Sequence, residues 1–191
     1  MKNSQKGFTL IELLAVIVIL GVLLAIAIPS VAKYINTAKK STYIENVQSY
    51  ASAARNELFL TNSDYQLPVS NGEATVISFK ELEIALENGG KKSSYGAPFV
   101  EDYSYVLIVN DGSAEKPHFT YYIAALDEKG YGIGTKAAGS VATAGVIEYD
   151  KLNEDNVVQV GKGNGITATA AASRLNVSIT NSYYTSSKPL Y

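Results

Sequence analysis

The sequence predicts an α+β fold in which one long N-terminal α-helix packs against an antiparallel β-sheet head. The first observation is an uncharged apolar run of 20 residues from Leu13 to Ala32, close to the start of the 191-residue chain. The second is an amphipathic pattern that continues this run to about residue 60 without a break. The third is a series of short segments rich in β-branched and aromatic residues after residue 100, which is typical of strands. A helix and a sheet that each have an apolar face bury those faces against one another.

The composition excludes several classes of function. The net charge of −2 gives no electrostatic basis for binding nucleic acid or an anionic membrane surface. Cysteine is absent, which excludes disulfides, thiolate metal sites and a cysteine nucleophile. Charged residues make up 18% of the chain, less than the roughly 25% of an ordinary soluble domain. The longest contiguous apolar stretch of the chain lies within the first forty residues.

The apolar run admits three interpretations. In a helix, its length corresponds to about 30 Å, the thickness of the hydrocarbon core of a bilayer. Lysines flank the run, with Lys2 and Lys6 before it and Lys33, Lys39 and Lys40 after it. The segment is therefore a secretory signal peptide, a permanent membrane anchor, or a helix that other copies of the chain bury.

A signal peptide has some support, but more of the sequence argues against it. The residues MKNSQK form a basic start, and Ala25–Ala27 satisfies the small-residue rule for cleavage. The run is longer than the roughly 7–15 residues that are usual, however, and the acidic Glu12 lies near its beginning. The apolar face also continues beyond it at spacings of three and four, through Val31, Ile35, Ala38, Val47, Ala51, Ala54 and Leu58. We therefore predict one helix from Phe8 to Leu60, about 80 Å long.

The first thirty residues contain a specific pattern, KGFTLIELLAVIVILGVLLAIAIP. This segment resembles the N-terminus of a type IV prepilin. The matching features are a short basic leader that ends at Gly7, an aromatic Phe8, an acidic Glu12, and Pro29 late in the apolar run. The resemblance implies that Phe8 is the first residue of the mature chain and Glu12 its fifth. The rest of the chain is similar to the family in its predicted architecture alone.

The resemblance implies a route of processing and assembly. A membrane-embedded prepilin peptidase is expected to cut after Gly7 on the cytoplasmic side and to methylate the new amine of Phe8. The lysines of the leader suit that side of the membrane. The precursor is expected to span the cell membrane once, with its C-terminal part outside. An assembly ATPase and a membrane platform protein would then extract it into a helical fibre of identical subunits.

Three residues of the apolar run have expected roles in that fibre. A carboxylate without a partner is costly in a core of packed helices, so we expect Glu12 to pair with the amine of Phe8 of a neighbouring subunit. The alternative is that Glu12 only assists recognition by the peptidase. Gly21 and Pro29 are the weak points of the helix, because Pro29 removes a backbone donor and clashes one turn back. We expect helical order to be lost between about Gly21 and Pro29 in the fibre.

The predicted organisation has four parts: a removed leader over 1–7, the transmembrane and fibre-core half of the helix over 8–32, its amphipathic half over 33–60, and a β-rich globular head over 61–191. The long helix is expected to end at the turn-forming residues 61–64. A second, short helix is predicted over 78–90, where Ser78 and Glu81 form a capping box and Gly89-Gly90 ends the helix.

Five strands are predicted in the head, at 103–109, 118–126, 145–149, 156–160 and 174–180. Turn-forming residues separate them, which favours an antiparallel sheet on the apolar face of residues 31–60. Type IV pilins combine a long helix and a sheet in the same way. Because it lacks cysteine, the chain is more similar to the cysteine-free major pilins of Gram-positive bacteria than to Gram-negative members with a C-terminal disulfide.

Other residues carry weaker signals, and we assign none of them a catalytic or metal-binding role. His118 is the only histidine and has no partner at ligand spacing, so we expect an ordinary strand or loop residue. Residues 161–165 lack the spacing of a phosphate loop and are interpreted as a turn. Residues 150–156 offer oxygen ligands, but their spacing fits no calcium loop. We therefore expect no metal, no cofactor and no enzymatic activity.

Two further patterns concern the C-terminal part. Asn176-Val177-Ser178 is a glycosylation tripeptide, although it falls within a predicted strand. Tyr183, Tyr184 and Tyr191 lie in a polar tail, where they form either adhesive contacts or ordinary packing and subunit contacts, the second being the commoner situation for tyrosine.

These observations predict a structural subunit, the major one, of an extracellular type IV pilus that supports adhesion, surface motility or aggregation. One alternative is a pseudopilin of a type II secretion or DNA-uptake machine, which shares the N-terminal pattern. An alternative from a different class is a membrane-anchored binding protein that does not polymerise. Cleavage after Gly7 and a polymer separate the first two from the last.

Overall fold

The computed structural model describes residues 7–60, 64–83 and 92–184. Contacts between residues divide the chain into two units, Met1–Ala38 and Lys39–Tyr191. The leader residues before Gly7, the predicted helix end at 61–63, and Tyr191 lie outside the described residues.

The described part of the first unit is helical from Leu10 onward. Helix α1 (Leu10–Leu58) contains all of its residues from Leu10 onward, including Pro29. Every residue from Gly7 to Ala38 is exposed, although nearly all of those before Pro29 are apolar. A helix that is apolar on all sides is normally buried in a membrane or in a large assembly. Exposure of this apolar surface to water is therefore unfavourable.

In the second unit, the remaining part of α1 buries one face. The buried residues are Tyr43, Ile44, Val47, Tyr50, Ala51, Ala53, Ala54 and Leu58, which confirms the predicted pattern from Val47 to Leu58. Val31, Ile35 and Ala38 were predicted to share this face, and this prediction is wrong, because all three are exposed and the buried face begins at Tyr43.

The main sheet of the second unit has five strands in the order β6-β3-β2-β1-β8. Its strands are β1 (Glu73–Ser78), β2 (Tyr105–Asn110), β3 (Phe119–Ala124), β6 (Ile147–Glu148) and β8 (Ser178–Tyr183). The β1–β2, β2–β3 and β3–β6 pairs are antiparallel. The prediction of an antiparallel sheet is incomplete, because β8 pairs with β1 in parallel. Parallel neighbours need a crossover, and here a helix, α3 (Ala168–Leu175), leads the chain into β8.

A smaller, antiparallel sheet has the order β5-β4-β7, formed by β4 (Tyr131–Thr135), β5 (Thr143–Ala144) and β7 (Val157–Gln159). Its central strand β4 follows β3 after a turn that Asp127 stabilises, since its carboxylate accepts hydrogen bonds from the backbone N–H of Lys129 and Tyr131, each at 2.9 Å. Strand β7 was predicted, whereas β4 and β5 were missed because their glycine-rich sequence resembles a turn.

Helices cover both faces of the main sheet. Val106 and Ile108 of β2 belong to the core that includes Tyr43, Val47 and Tyr50 of α1. The alternate residues of β2 face the opposite side, where Leu107 packs in a second core with Ala168 and Ala171 of α3. All six residues of β2 are consequently buried, which explains why its sequence is a continuous apolar run.

Two predicted elements need correction. The helix predicted over 78–90 is preceded by strand β1, and its described part, α2 (Phe79–Leu82), is a single turn. The Ser78 hydroxyl accepts a hydrogen bond from the Glu81 N–H at 3.2 Å, as predicted, whereas Gly89-Gly90 lies outside the described residues. The helix begins only after Ser78 because the strand residues from Ala74 to Ser78 pair with β2.

The strand predicted over 174–180 begins later, at Ser178, because helix α3 occupies the residues up to Leu175. The Thr167 hydroxyl caps the start of α3 by accepting from the Ala170 N–H, and Asn176 ends it in the left-handed conformation with φ 55°. Alanine is the best helix former, and asparagine accepts this conformation more readily than most residues. Together these residues favour a helix up to Leu175, in a segment whose other residues had predicted a strand.

Candidate functional site

The first turn of α1 is closed by a reciprocal contact between Thr9 and Glu12. The Glu12 Oε2 atom accepts hydrogen bonds from the Thr9 N–H at 2.8 Å and from the Thr9 hydroxyl at 2.7 Å. The Thr9 Oγ1 atom in turn accepts from the Glu12 N–H at 3.3 Å. This is a capping box, in which two backbone donors at the helix start gain side-chain acceptors.

The capping box fixes where the only acid of the apolar run points. The Glu12 carboxylate folds back toward the N-terminus, so that it lies against the backbone of Thr9, the residue bonded to Phe8. Both hydrogen bonds from Thr9 end on the same oxygen, Oε2. The sequence analysis missed this contact, although a threonine followed three residues later by a glutamate is the same signal that identified Ser78 and Glu81.

The segment that follows is long and apolar enough to cross a membrane, and it is the one helix among the described residues that meets this test. Its large side chains face outward, with Phe8 91% and Leu10 83% exposed. The length and apolar composition of this helix suit a membrane span, and a helix in the core of a large assembly has the same length and composition.

Neither Gly7 nor Gly21 is required by the packing of this chain. A Cβ atom added at Gly7 or at Gly21 meets no atom within 4 Å, and neither residue has a positive φ. Glycine is normally retained where the backbone needs left-handed dihedrals or where another atom approaches closely. Neither condition applies within the described residues, so the described part of the fold gives no reason for glycine at either position.

Helix α1 continues through Pro29, but one of its backbone hydrogen bonds is missing there. Proline has no N–H, so the carbonyl four residues earlier, that of Ala25, loses its usual helical donor. One residue later, the Ser30 hydroxyl lies 3.5 Å from the Ile26 carbonyl oxygen and supplies a weak additional hydrogen bond. The expected loss of helical order between Gly21 and Pro29 concerns the fibre, and it stays a prediction.

In the second unit, His118 has a partner that the sequence analysis did not identify. Its Nδ1 atom contacts the Asp111 carboxylate, and the Thr120 hydroxyl donates to the same carboxylate at 2.9 Å. Desolvation acts to raise the pKa of Asp111, but hydrogen bonds from His118 and Thr120 outweigh it and lower the pKa. The His118 and Asp111 side chains are 73% and 50% exposed. The contact lies exposed at a hairpin and lacks the enclosure of a catalytic dyad.

The acidic segment 150–156 uses its side chains for local turns. Asn153 caps the 3₁₀ turn Glu154–Asn156, accepting from the Asp155 N–H, and the Asn156 side chain accepts from the Asn153 N–H at 2.8 Å. In the parts of the chain that the structure describes, no group of three or more His, Asp or Glu side chains is placed to hold a metal ion.

Tyr183 and Tyr184 lie within the fold, as the predicted ordinary packing of tyrosines requires. Tyr183 belongs to β8, where its ring packs edge-to-face on Tyr65 and its hydroxyl accepts a hydrogen bond from the Gln66 N–H at 2.9 Å. Tyr184 packs against the second core, and desolvation raises the pKa of its hydroxyl. The prediction that these two tyrosines lie in a polar tail is therefore wrong. Asn176 lies in the turn before β8, outside the strand in which it was predicted.

Comparison with known proteins identifies the N-terminal segment. Residues 2–28 match the family model described as the prokaryotic N-terminal methylation motif. The chain is 37% identical over 95 residues to the type IV major pilin protein PilE of Neisseria gonorrhoeae, which covers 47% of this chain and 55% of that protein. It is 36% identical over 92 residues to the type IV major alpha-pilin of Moraxella bovis, covering 48% and 50%.

A shorter match reaches 56% identity over 41 residues with the type IV major fimbrial protein FimA of Dichelobacter nodosus, covering 22% of this chain and 26% of that protein. The chain thus spans about a quarter to just over half of the length of these relatives. No solved structure matches the chain significantly.

Proposed function

Because the chain carries the N-terminal segment of the type IV pilins, we propose that it is a structural subunit, the major one, of an extracellular type IV pilus. The observation that carries this proposal is the match of residues 2–28 to the methylation motif, on a helix whose apolar side chains are exposed among the described residues. Such a surface is unfavourable in water, at roughly 25 cal/mol for each Å² of apolar area. A membrane first, and neighbouring subunits later, would remove it from water.

The first step is processing by a prepilin peptidase, which cuts between Gly7 and Phe8 and methylates the new amine of Phe8. Gly7 supports this site because the chain itself makes no steric demand for glycine there, whereas a peptidase must approach the backbone closely. The leader before Gly7 would remain on the cytoplasmic side with its two lysines.

The second step is assembly of the cleaved chain into a helical homopolymer. An assembly ATPase and a membrane platform protein would extract the subunit from the cell membrane, and the helix segment 8–32 would form the core of the fibre. Residues 33–60 and 61–191 would then form the amphipathic half of the helix and the surface of the pilus. A structural role of this kind requires no catalytic centre in the second unit.

In the fibre core, Glu12 would pair with the amine of Phe8 of a neighbouring subunit. The hydrogen bonds from Thr9 both use Oε2, which leaves Oε1 available to accept from that amine. The pair neutralises two charges that would otherwise be buried separately. A buried charge whose partner is missing costs several kcal/mol. Only one axial offset between neighbouring helices brings the two groups together. Glu12 would therefore set the register of assembly, while Gly21 and Pro29 let the helix adjust.

Electron microscopy of material sheared from the cell surface, with intact-mass measurement of the purified fibres, tests the proposal. We expect fibres composed of a chain that begins at Phe8 and carries one additional methyl group. A mature chain that begins at Ile28 would identify a secretory signal peptide instead. Uncleaved protein in the membrane, with no fibres, would identify an anchored protein that does not polymerise.

A further inference from the structure

Strand β8 is an outer strand of the main sheet. Strand β1 pairs with one side of it, and among the described residues no strand pairs with its other side. The opposite outer strand, β6, contains only two residues, whereas β8 contains six. An outer strand of this length presents a row of backbone N–H and C=O groups that can accept another strand.

The sequence of β8 lacks the usual protection of such an edge. Natural proteins place lysine, other charges or proline on exposed outer strands, because these residues prevent pairing between molecules. From Leu175 to Ser187 this chain has no charged residue and no proline. One protective feature is present, an irregularity in the register with β1 near Thr180. It twists the edge locally but leaves it free of charge.

The surroundings of β8 are polar and open. A groove of about 420 Å³ lies between α3 and β8, and hydroxyl groups line much of it, namely those of Thr169, Ser173, Ser178, Thr180 and Ser182. Ser178, Thr180 and Ser182 are exposed, and the residues between them are half-buried. Hydroxyl groups donate and accept hydrogen bonds equally well, so the same surface can face a second copy of itself.

We propose that β8 pairs in an antiparallel manner with β8 of a second copy of this chain, with Thr180 at the two-fold axis. In this register Ser178 lies opposite Ser182 of the other copy. The interface is self-complementary, as a two-fold contact requires, and no like charges meet across it because β8 has none. The Thr180 hydroxyl donates to the Ala74 carbonyl of its own chain at 3.3 Å, so the hydroxyl pairs that would stabilise the contact are those of Ser178 with Ser182.

A single pair of six-residue strands is a weak contact, because it is smaller than the interfaces of stable complexes. The same contact repeated along two fibres would gain strength by avidity. Two fibres of opposite polarity are related by two-fold axes, which is the symmetry of the proposed strand pair. Bundling of fibres through β8 therefore rests on the proposed pilus, whereas the pairing of two chains does not.

The absence of cysteine allows a direct test by disulfide trapping. Single-cysteine variants of the full chain, solubilised in detergent, are oxidised and analysed without reductant. We expect Thr180→Cys to give at least about tenfold more disulfide dimer than Ser140→Cys, an exposed position away from β8, since a specific contact raises the local thiol concentration. A mixture of Ser178→Cys and Ser182→Cys should form more dimer than either variant alone. Equal yields from Thr180→Cys and Ser140→Cys would overturn the proposal.

Two further variants keep this test decisive. Removal of the residues after Tyr184 should leave the Thr180→Cys dimer unchanged; a dimer that forms only after this removal would mean that the chain's own C-terminus covers β8, which overturns the proposal. Thermal unfolding of each variant checks that it is folded. In fibres, Ser182→Lys should abolish bundles without reducing the number of fibres, with Ser140→Lys as the matched control. Absent fibres in the unsubstituted chain would contradict the proposed pilus but not the trapped dimer.

Discussion

Thr9 and Glu12 cap one another at the start of α1, with the Thr9 N–H 2.8 Å from the Glu12 carboxylate. This contact exists within a single chain, so Glu12 has a local structural role in addition to the one proposed in the fibre. The two roles can be separated, because Thr9 takes part only in the capping box. Removal of a capping side chain costs about 1 kcal/mol, which is too little to prevent insertion of a helix this apolar.

For assembly, we expect Glu12→Ala to be cleaved and inserted normally but to form very few fibres, since the neighbouring Phe8 amine loses its partner in the core. Thr9→Ala is the matched variant, because it removes the two hydroxyl hydrogen bonds of the capping box and keeps the carboxylate. It should form fibres in nearly normal amounts. Surface fibres are quantified after shearing, and cleavage is followed by intact mass. Normal fibre yield from Glu12→Ala would refute the pairing, and an uncleaved chain would assign Glu12 to recognition by the peptidase.

Processing depends on Gly7. Replacement of Gly7 by phenylalanine should leave the full-length precursor in the membrane and abolish fibres, because the peptidase can no longer approach the backbone. The described part of the fold provides no reason for the same result, because a Cβ atom added at Gly7 meets no described atom within 4 Å. Gly21→Ala serves as the control and should be cleaved normally. Normal maturation of the Gly7 variant, measured by mass spectrometry of the membrane fraction, would refute the cleavage site.

In a reconstruction of the fibre, we expect the backbone between about Gly21 and Pro29 to depart from helical geometry. The carbonyl opposite Pro29 lacks its helical donor, and Gly21 is a poor helix former, costing about 1 kcal/mol relative to alanine. Packing against neighbouring helices can then extend this stretch at low cost. A straight, fully hydrogen-bonded helix through Pro29 in the fibre map would show that this expectation is wrong.

The stability of the second unit should depend on which phenylalanine is removed. Phe79 is 1% exposed and its ring stacks on Tyr50 with centroids 3.9 Å apart, so Phe79→Ala should lower the free energy of unfolding by about 3–5 kcal/mol. Phe59 has the same side chain but is 59% exposed, and Phe59→Ala should cost well under half as much. Urea unfolding of the detergent-solubilised chain, followed by tyrosine fluorescence, measures both. Equal losses would contradict the assignment of the core.

The Asp111–His118 contact should stabilise the folded chain less as the solution becomes more acidic. The pKa of Asp111 is lowered below its ordinary value of 3.8, so its stabilising contribution is complete above about pH 4 and is lost as the pH falls through the lowered value. Because both side chains are largely exposed, the contribution should stay below about 1 kcal/mol. Asp111→Asn should therefore narrow the stability difference between pH 6 and pH 3 slightly. If Asp111→Asn lowered the free energy of unfolding at pH 6 by more than about 1 kcal/mol, Asp111 would have a role beyond this pair.

Elements with a strong local signal could be predicted from the sequence. The apolar helix, its buried face after Tyr43, and strands β2, β3 and β7 follow from periodicity and residue type. Helix α3 could not be identified in this way, because its buried residues are alanines, which carry little hydrophobic contrast. The parallel pairing of β8 with β1 depends on the return of the chain through α3, and no local sequence pattern specifies strand direction.

The candidate site divides in the same manner. The capping box at Thr9 and Glu12 has a sequence signature, so it could have been found before the structure. The contact between His118 and Asp111 has none, because the two residues are brought together only when β2 and β3 form a hairpin. The roles of Gly7, Phe8 and Glu12 stay predictions from the specific N-terminal pattern, because they concern interactions with other proteins more than the fold.

The empty space around Gly7 and Gly21 has a consequence for how substitutions in this chain would be tolerated. A mutational scan that selects only for a folded, membrane-inserted chain should accept many residues at these two positions, while it rejects most changes at buried positions such as Leu107. A scan that selects for surface fibres should reject changes at all three. Positions that tolerate substitution in the first scan but not in the second would be those that interactions with other molecules constrain.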